Sequence, residues 1–124
     1  MSNQSKQRIL LVDDNELIRE MAADVLRDKG YEVAQASDAA DALAHLRASQ
    51  RFDLLLSDVR MPGMSGRELA DVALELWPEL AVIIMTGYAE EALSNPDFLG
   101  ERMRLLRKPF SLADLLRTVE DALP

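Results

Sequence analysis

The chain contains no cysteine, which excludes thiol catalysis, zinc–thiolate sites and a disulfide scaffold. No apolar run approaches membrane-spanning length, and the polar first seven residues lack the apolar centre of a secretory signal. A cytoplasmic protein with no membrane contact is therefore expected. Neither GxxxxGK(S/T) nor GxGxxG occurs, so no loop is built to cradle a nucleotide. Histidine appears once, as His45, in a helical stretch on the opposite register from the residues considered below. It is read as a partly exposed helix residue and not as a ligand. Basic residues are outnumbered, 14 against 22 acidic, for a net charge of −8. That opposes direct binding to nucleic acid, where affinity comes largely from neutralising phosphates.

What is present is alternation. At 124 residues the chain suits one domain with its own core. Residues 1–7 are expected to be disordered and residues 8–124 to form the domain. Residues 9–12 (ILLV) are a short apolar run ending in Asp13 and Asp14. A helical stripe follows, with Leu17, Ile18, Met21, Ala22, Val25 and Leu26 at the 3.6-residue period, stopped by Gly30. Residues 31–36 read as a weaker strand, and Ser37 or Asp38 caps a second helix through about residue 49. Residues 54–57 (LLLS) are the third strand. Ser65 opens a third helix carrying Leu69, Val72, Ala73 and Leu76, which Pro78 halts. Residues 81–85 and 104–107 are the fourth and fifth strands. Ser111 caps a last helix whose inner face is Leu112, Leu115, Leu116, Val119 and Leu123. Between those two strands, residues 89–94 suit a short helix, and Asn95-Pro96 should end it.

This is a (βα)5 pattern. The first, third and fourth strands are almost uniformly apolar, so helices must cover both faces of a parallel sheet. Right-handed crossovers leave few topologies. The expected one is α/β, a flavodoxin-like doubly wound five-stranded parallel sheet of order 2-1-3-4-5. Ligands in such sheets bind beyond the carboxyl ends of the strands, where the strand order reverses.

The residues at those ends are Asp13 and Asp14, Asp58, Thr86 and Lys108. Each alone is ordinary, since Asp suits a helix start as well as a site. Five polar groups at the ends of four apolar strands, around one crevice, are not ordinary loop composition. Three carboxylates pressed together repel, and one would stay protonated unless a cation joined them. An oxygen-only donor set suits a hard cation, with Mg²⁺ the expectation. Mg²⁺, Lys108 and the Thr86 hydroxyl together suit a phosphoryl group.

With these residues in hand, Asp13-Asp14, Asp58, the Arg-Met-Pro-Gly-Met-Ser-Gly of residues 60–66, Thr86-Gly87 and Lys108-Pro109-Phe110 resemble the receiver domain of bacterial two-component response regulators. The likeness runs from residue 8 to residue 123. It implies that Asp58 is the phosphoacceptor, taking its phosphoryl group from a phosphohistidine on a sensor histidine kinase or a phosphotransfer protein. It implies that Asp14 and Asp58 coordinate Mg²⁺ directly, with the Arg60 carbonyl as a further ligand and Asp13 acting through water. Thr86 would hydrogen-bond the phosphoryl oxygen and Lys108 would pair with it. Lys108–Pro109 would be cis, and Pro62, Gly66 and Pro109 would shape the loops. Such a domain catalyses only its own phosphorylation and dephosphorylation.

One position departs from that pattern. Receivers commonly carry Tyr or Phe three residues before the lysine, and here it is Leu105. Switching would then rest on Thr86, with Tyr88 a candidate gate. Leu105 and the Thr-Gly-Tyr-Ala stretch also resemble receivers attached to hybrid sensor kinases. Because Pro124 follows the last helix, output is expected to be binding to a downstream protein, with a homodimer through the short fourth helix, last strand and last helix left open. The competing reading is a Mg²⁺-dependent phosphohydrolase of the haloacid dehalogenase type. That class wants a DxD after the first strand, where this chain has Asp13-Asp14-Asn15-Glu16. A flavodoxin would need a Ser/Thr/Gly-rich phosphate loop there, and those acids would repel its phosphate.

Overall fold

The computed structural model describes residues 7–48, 51–61, 63–87 and 103–123. Five strands form one parallel sheet: β1 (Arg8–Val12), β2 (Glu32–Ala36), β3 (Leu54–Asp58), β4 (Ala81–Thr86) and β5 (Met103–Arg107). Their order is β2-β1-β3-β4-β5, as the strand pattern predicts. The described helices are α1 (Glu16–Asp28), α2 (Ala39–Arg47), α3 (Gly66–Leu76) and α4 (Leu112–Ala122). The short helix anticipated at 89–94 lies outside the described residues. So does the segment expected to be disordered, except Gln7, whose carbonyl accepts from Glu32 N–H at 3.0 Å.

Local chemistry starts each helix. Asn15 accepts from the Ile18 N–H at 3.1 Å to cap α1, and Asp38, rather than Ser37, accepts from Asp41 N–H at 2.8 Å to cap α2. Ser65 and Glu68 form a reciprocal capping box at α3, and Ser111 caps α4. Gly30, at φ +98°, makes the turn from α1 into β2, a conformation that costs a residue with a Cβ.

The uniformly apolar strands are explained by two cores. Leu10, Val12, Leu55, Val82 and Ile84 point to the α2/α3 side, against Ala42, Leu46, Leu69 and Ala73. Ile9, Leu11, Leu54, Leu56, Ile83 and Met85 point to the α1/α4 side, against Ala22, Leu26, Leu115 and Val119. Helices cover both faces, so β1, β3 and β4 are apolar on both sides between their ends, with the buried Ser57 of β3 as the exception.

The helix stripes are narrower than their sequence suggests. α1 buries Ala22, Ala23 and Leu26, whereas Leu17 and Met21 are 69% and 50% exposed. On α3 and α4, Leu76 and Leu112 also face outward. The contact arc of α1 thus runs through Ala22, Ala23 and Leu26 and leaves the Leu17–Met21 flank outside. Truncating Leu26 to Ala should therefore cost about 2–5 kcal/mol in urea unfolding, while Leu17→Ala should stay within about 0.5 kcal/mol. Equal losses for the two would contradict this orientation of α1.

Candidate functional site

The carboxyl edge of the sheet collects the acids. Asp13 follows β1 directly and is fully buried. Its N–H donates to the Ala36 carbonyl at 3.2 Å, and its Oδ1 accepts from the Asn15 N–H at 2.9 Å. The acidic turn is thus held at both ends, because Asn15 is also the cap of α1. Asp14, next along, is exposed. Asp58 is the last residue of β3, and the following Val59 N–H reaches the Met85 carbonyl of β4 at 2.9 Å.

The backbone of Asp58 is closely confined. Gly66 opens α3 so near to it that a Cβ at Gly66 would lie 2.1 Å from the Asp58 carbonyl oxygen. The buried Ser57 hydroxyl donates to that same carbonyl at 3.0 Å. Thr86, 2% exposed, ends β4, and its carbonyl accepts from the Lys108 N–H at 2.7 Å. Lys108–Pro109 is cis.

Lys108 extends from beyond β5 to the acids. Its Nζ lies 3.0 Å from Asp13 Oδ2 and 3.2 Å from Asp58 Oδ2. A carboxylate oxygen from each of Asp13, Asp14 and Asp58 lies within 4.8 Å of the others. Burial pushes the Asp58 carboxyl above its ordinary range; Lys108 pulls it down, Asp13 pushes it up, and the balance stays raised. The Lys108 ammonium is pushed down by burial. Its hydrogen bond to Asp13 and the charges of Asp13 and Asp58 outweigh that, leaving it above its ordinary value. Among the described residues, Asp13, Asp14 and Asp58 bring together carboxylate oxygens with no histidine or cysteine beside them. That set fits a hard divalent cation.

The response regulator receiver domain model matches residues 9–120. The chain belongs to that family. This receiver is 40% identical over 118 residues to the response regulator receiver protein CpdR of Brucella abortus, covering 94% of this chain and 97% of CpdR. Over 116 residues it is 33% identical to the sensor kinase CckA of the same organism, covering 93% of this chain but 12% of CckA. Among solved structures, the response regulator TrrA of Thermotoga maritima, in complex with Mg(2+)-BeF, superposes with a TM-score of 0.82 at 30% identity. That match covers 94% of this chain and 99% of TrrA. The receiver is a two-component signalling domain whose output depends on phosphorylation, and this displaces the phosphohydrolase and flavodoxin readings.

Asp13, Asp14, Asp58 and Lys108 meet as the sequence led us to expect, and Thr86 lies on the same edge of the sheet. The Arg60 main-chain N–H hydrogen-bonds Asp58, while its side chain is exposed. Leu105 sits on β5 opposite Ile84 and packs half-buried against the α2/α3-side core. Pro109 is exposed and follows the cis bond. Pro62 and Tyr88 lie outside the described residues. His45 packs edge-on against Phe52, ring centroids 6.4 Å apart, as a helix residue. Pattern reading missed Ser57 and also Arg19, whose guanidinium donates to the Asp13 carbonyl at 2.8 Å. A serine inside an apolar strand was the one available signal.

A carboxyl raised by folding holds its proton more tightly folded than unfolded, so ionised Asp58 subtracts stability at neutral pH. In metal-free buffer at pH 7, Asp58→Asn should therefore melt higher than wild type, by about 4 °C for each kcal/mol relieved. The gain should shrink as the pH falls and the wild-type Asp58 protonates. Calorimetry across pH checks this; a lower melting temperature for the variant at every pH would contradict it.

Proposed function

We propose that Asp58 accepts a phosphoryl group from a phosphohistidine on a sensor histidine kinase or a phosphotransfer protein. The observation that carries this is the Lys108 ammonium held between buried Asp13 and half-buried Asp58. A phosphoryl group arriving at Asp58 meets a cation already placed within hydrogen-bond distance of that carboxylate. An Asp58 carboxylate oxygen attacks phosphorus, and the P–N bond breaks with its electron pair returning to the donor imidazole. Lys108 then pairs with a phosphoryl oxygen, and the Thr86 hydroxyl donates to another. Asp14, Asp58 and the Arg60 carbonyl would hold Mg²⁺, with Asp13 acting through water. Bound there, Mg²⁺ supplies charge neutralisation for the equatorial oxygens. Hydrolysis of the acyl phosphate by water resets the domain, so the only chemistry it catalyses is its own.

The outward Leu17 and Met21 of α1 support docking of the donor. Met21 lines a groove of about 360 Å³ with Ile18, Phe110, Leu112 and Lys108, and Leu17 is exposed on the same helix. An apolar surface touching the catalytic lysine suits a partner that must bring its phosphohistidine to Asp58. No described helix is long and apolar enough to cross a membrane, which supports a cytoplasmic setting. Output is a binding event with a downstream protein, to which Thr86 contributes without an aromatic at position 105. A second copy pairing through β5, α4 and the segment before β5 is a further form of that output.

Incubation with acetyl phosphate and Mg²⁺ should add one phosphoryl mass to the wild-type chain by intact-mass measurement. Asp58→Asn should add none, and Lys108→Ala should accumulate far less. Equal labelling of Asp58→Asn would overturn the assignment.

A further inference from the structure

Arg19 lies one turn into α1, where a solvated arginine would be unremarkable. Its side chain instead turns back toward the strand ends. Nη1 donates to the Asp13 carbonyl at 2.8 Å, and Nε donates to Gln35 Oε1 at 3.1 Å. Gln35 is on β2, in register with Leu11 of β1. One half-buried guanidinium therefore ties the acidic turn to α1 and to β2.

The carbonyl that it holds belongs to the peptide joining Asp13 to Asp14, so its orientation sets the direction in which Asp14 leaves the backbone. Asp13 has other restraints, through Asn15, Ala36 and Lys108. Asp14 is exposed, and among the described residues no hydrogen bond holds its side chain. Its approach to Asp58 is thus inherited from the main chain. A guanidinium fork has two donors at a fixed angle and satisfies both acceptors at once, which a lysine ammonium on a flexible stem does not reproduce.

We propose that Arg19, braced by Gln35, is a positioning residue for the metal-binding turn, orienting the Asp13–Asp14 peptide so that the Asp14 carboxylate faces Asp58. This rests on the reading of the acidic crevice as a Mg²⁺ site. Partners one step removed from a metal commonly set affinity by about 10–100-fold.

The test is calorimetric titration of the unphosphorylated full chain with Mg²⁺ alone, beside urea unfolding in metal-free buffer. Arg19→Met and Arg19→Lys should each bind Mg²⁺ about tenfold more weakly. Gln35→Ala should lose affinity while unfolding at the wild-type urea midpoint, and Gln35→Glu, which keeps the acceptor, should retain it. Wild-type affinity in Arg19→Met would overturn the proposal. So would tighter binding, which would make the charge of Arg19 matter and not its geometry, or affinity losses that follow lost stability across the set. Absence of Mg²⁺ binding by the wild type would instead bring down the metal reading itself, and the role of Arg19 with it.

Discussion

Lys108 starts beyond the end of β5 and ends between an acid that follows β1 and an acid that closes β3. The span exists only because the sheet order puts β1 and β3 side by side with β4 between β3 and β5. Asp13 is fully buried, and a buried carboxylate without a cation is costly enough that removing its partner commonly destabilises by about 3–5 kcal/mol. The ammonium therefore reconciles an acidic crevice with a dry sheet. One ammonium among three carboxylates leaves oxygen donors that suit a divalent cation.

Around that ion pair, the main chain is fixed at two carbonyls. Asp58 is confined by the absent side chain of Gly66 and by the Ser57 hydroxyl. Asp13 is confined by Arg19. None of these contacts touches a carboxylate; each restrains the backbone that carries one. Side chains at a reacting centre are only as well aimed as the backbone that carries them.

Much of this is legible in the sequence. Apolar strands that stop at Asp13, Asp58, Thr86 and Lys108 name both the sheet and the edge where the acids gather, because a charge abutting a buried run has few harmless places to go. The helices were less legible. The stripe of Leu17, Met21 and Leu26 has one period but two fates, since periodicity marks a face and not how much of it the neighbours cover. Arg19 and Gln35 left no pattern, because a bond to a main-chain carbonyl depends on tertiary distance, and an arginine in a first helical turn looks like a solvated one. Gly66 was legible as a loop residue, but its approach to the Asp58 carbonyl depends on how α3 meets β3. At Leu105 the sequence pointed to a missing aromatic; the structure shows a side chain already packed into the α2/α3-side core.

The proposed function turns on the Lys108 ammonium, held between two acids where a phosphoryl group on Asp58 would arrive. A crystal structure of the chain with Mg²⁺ and beryllofluoride, a mimic of the acyl phosphate, tests it most directly. Beryllium is expected on an Asp58 carboxylate oxygen, with Lys108 Nζ and the Thr86 hydroxyl each within hydrogen-bonding distance of a fluorine. Beryllofluoride on another residue, or Lys108 still bridging Asp13 and Asp58 with no fluorine contact, would contradict it.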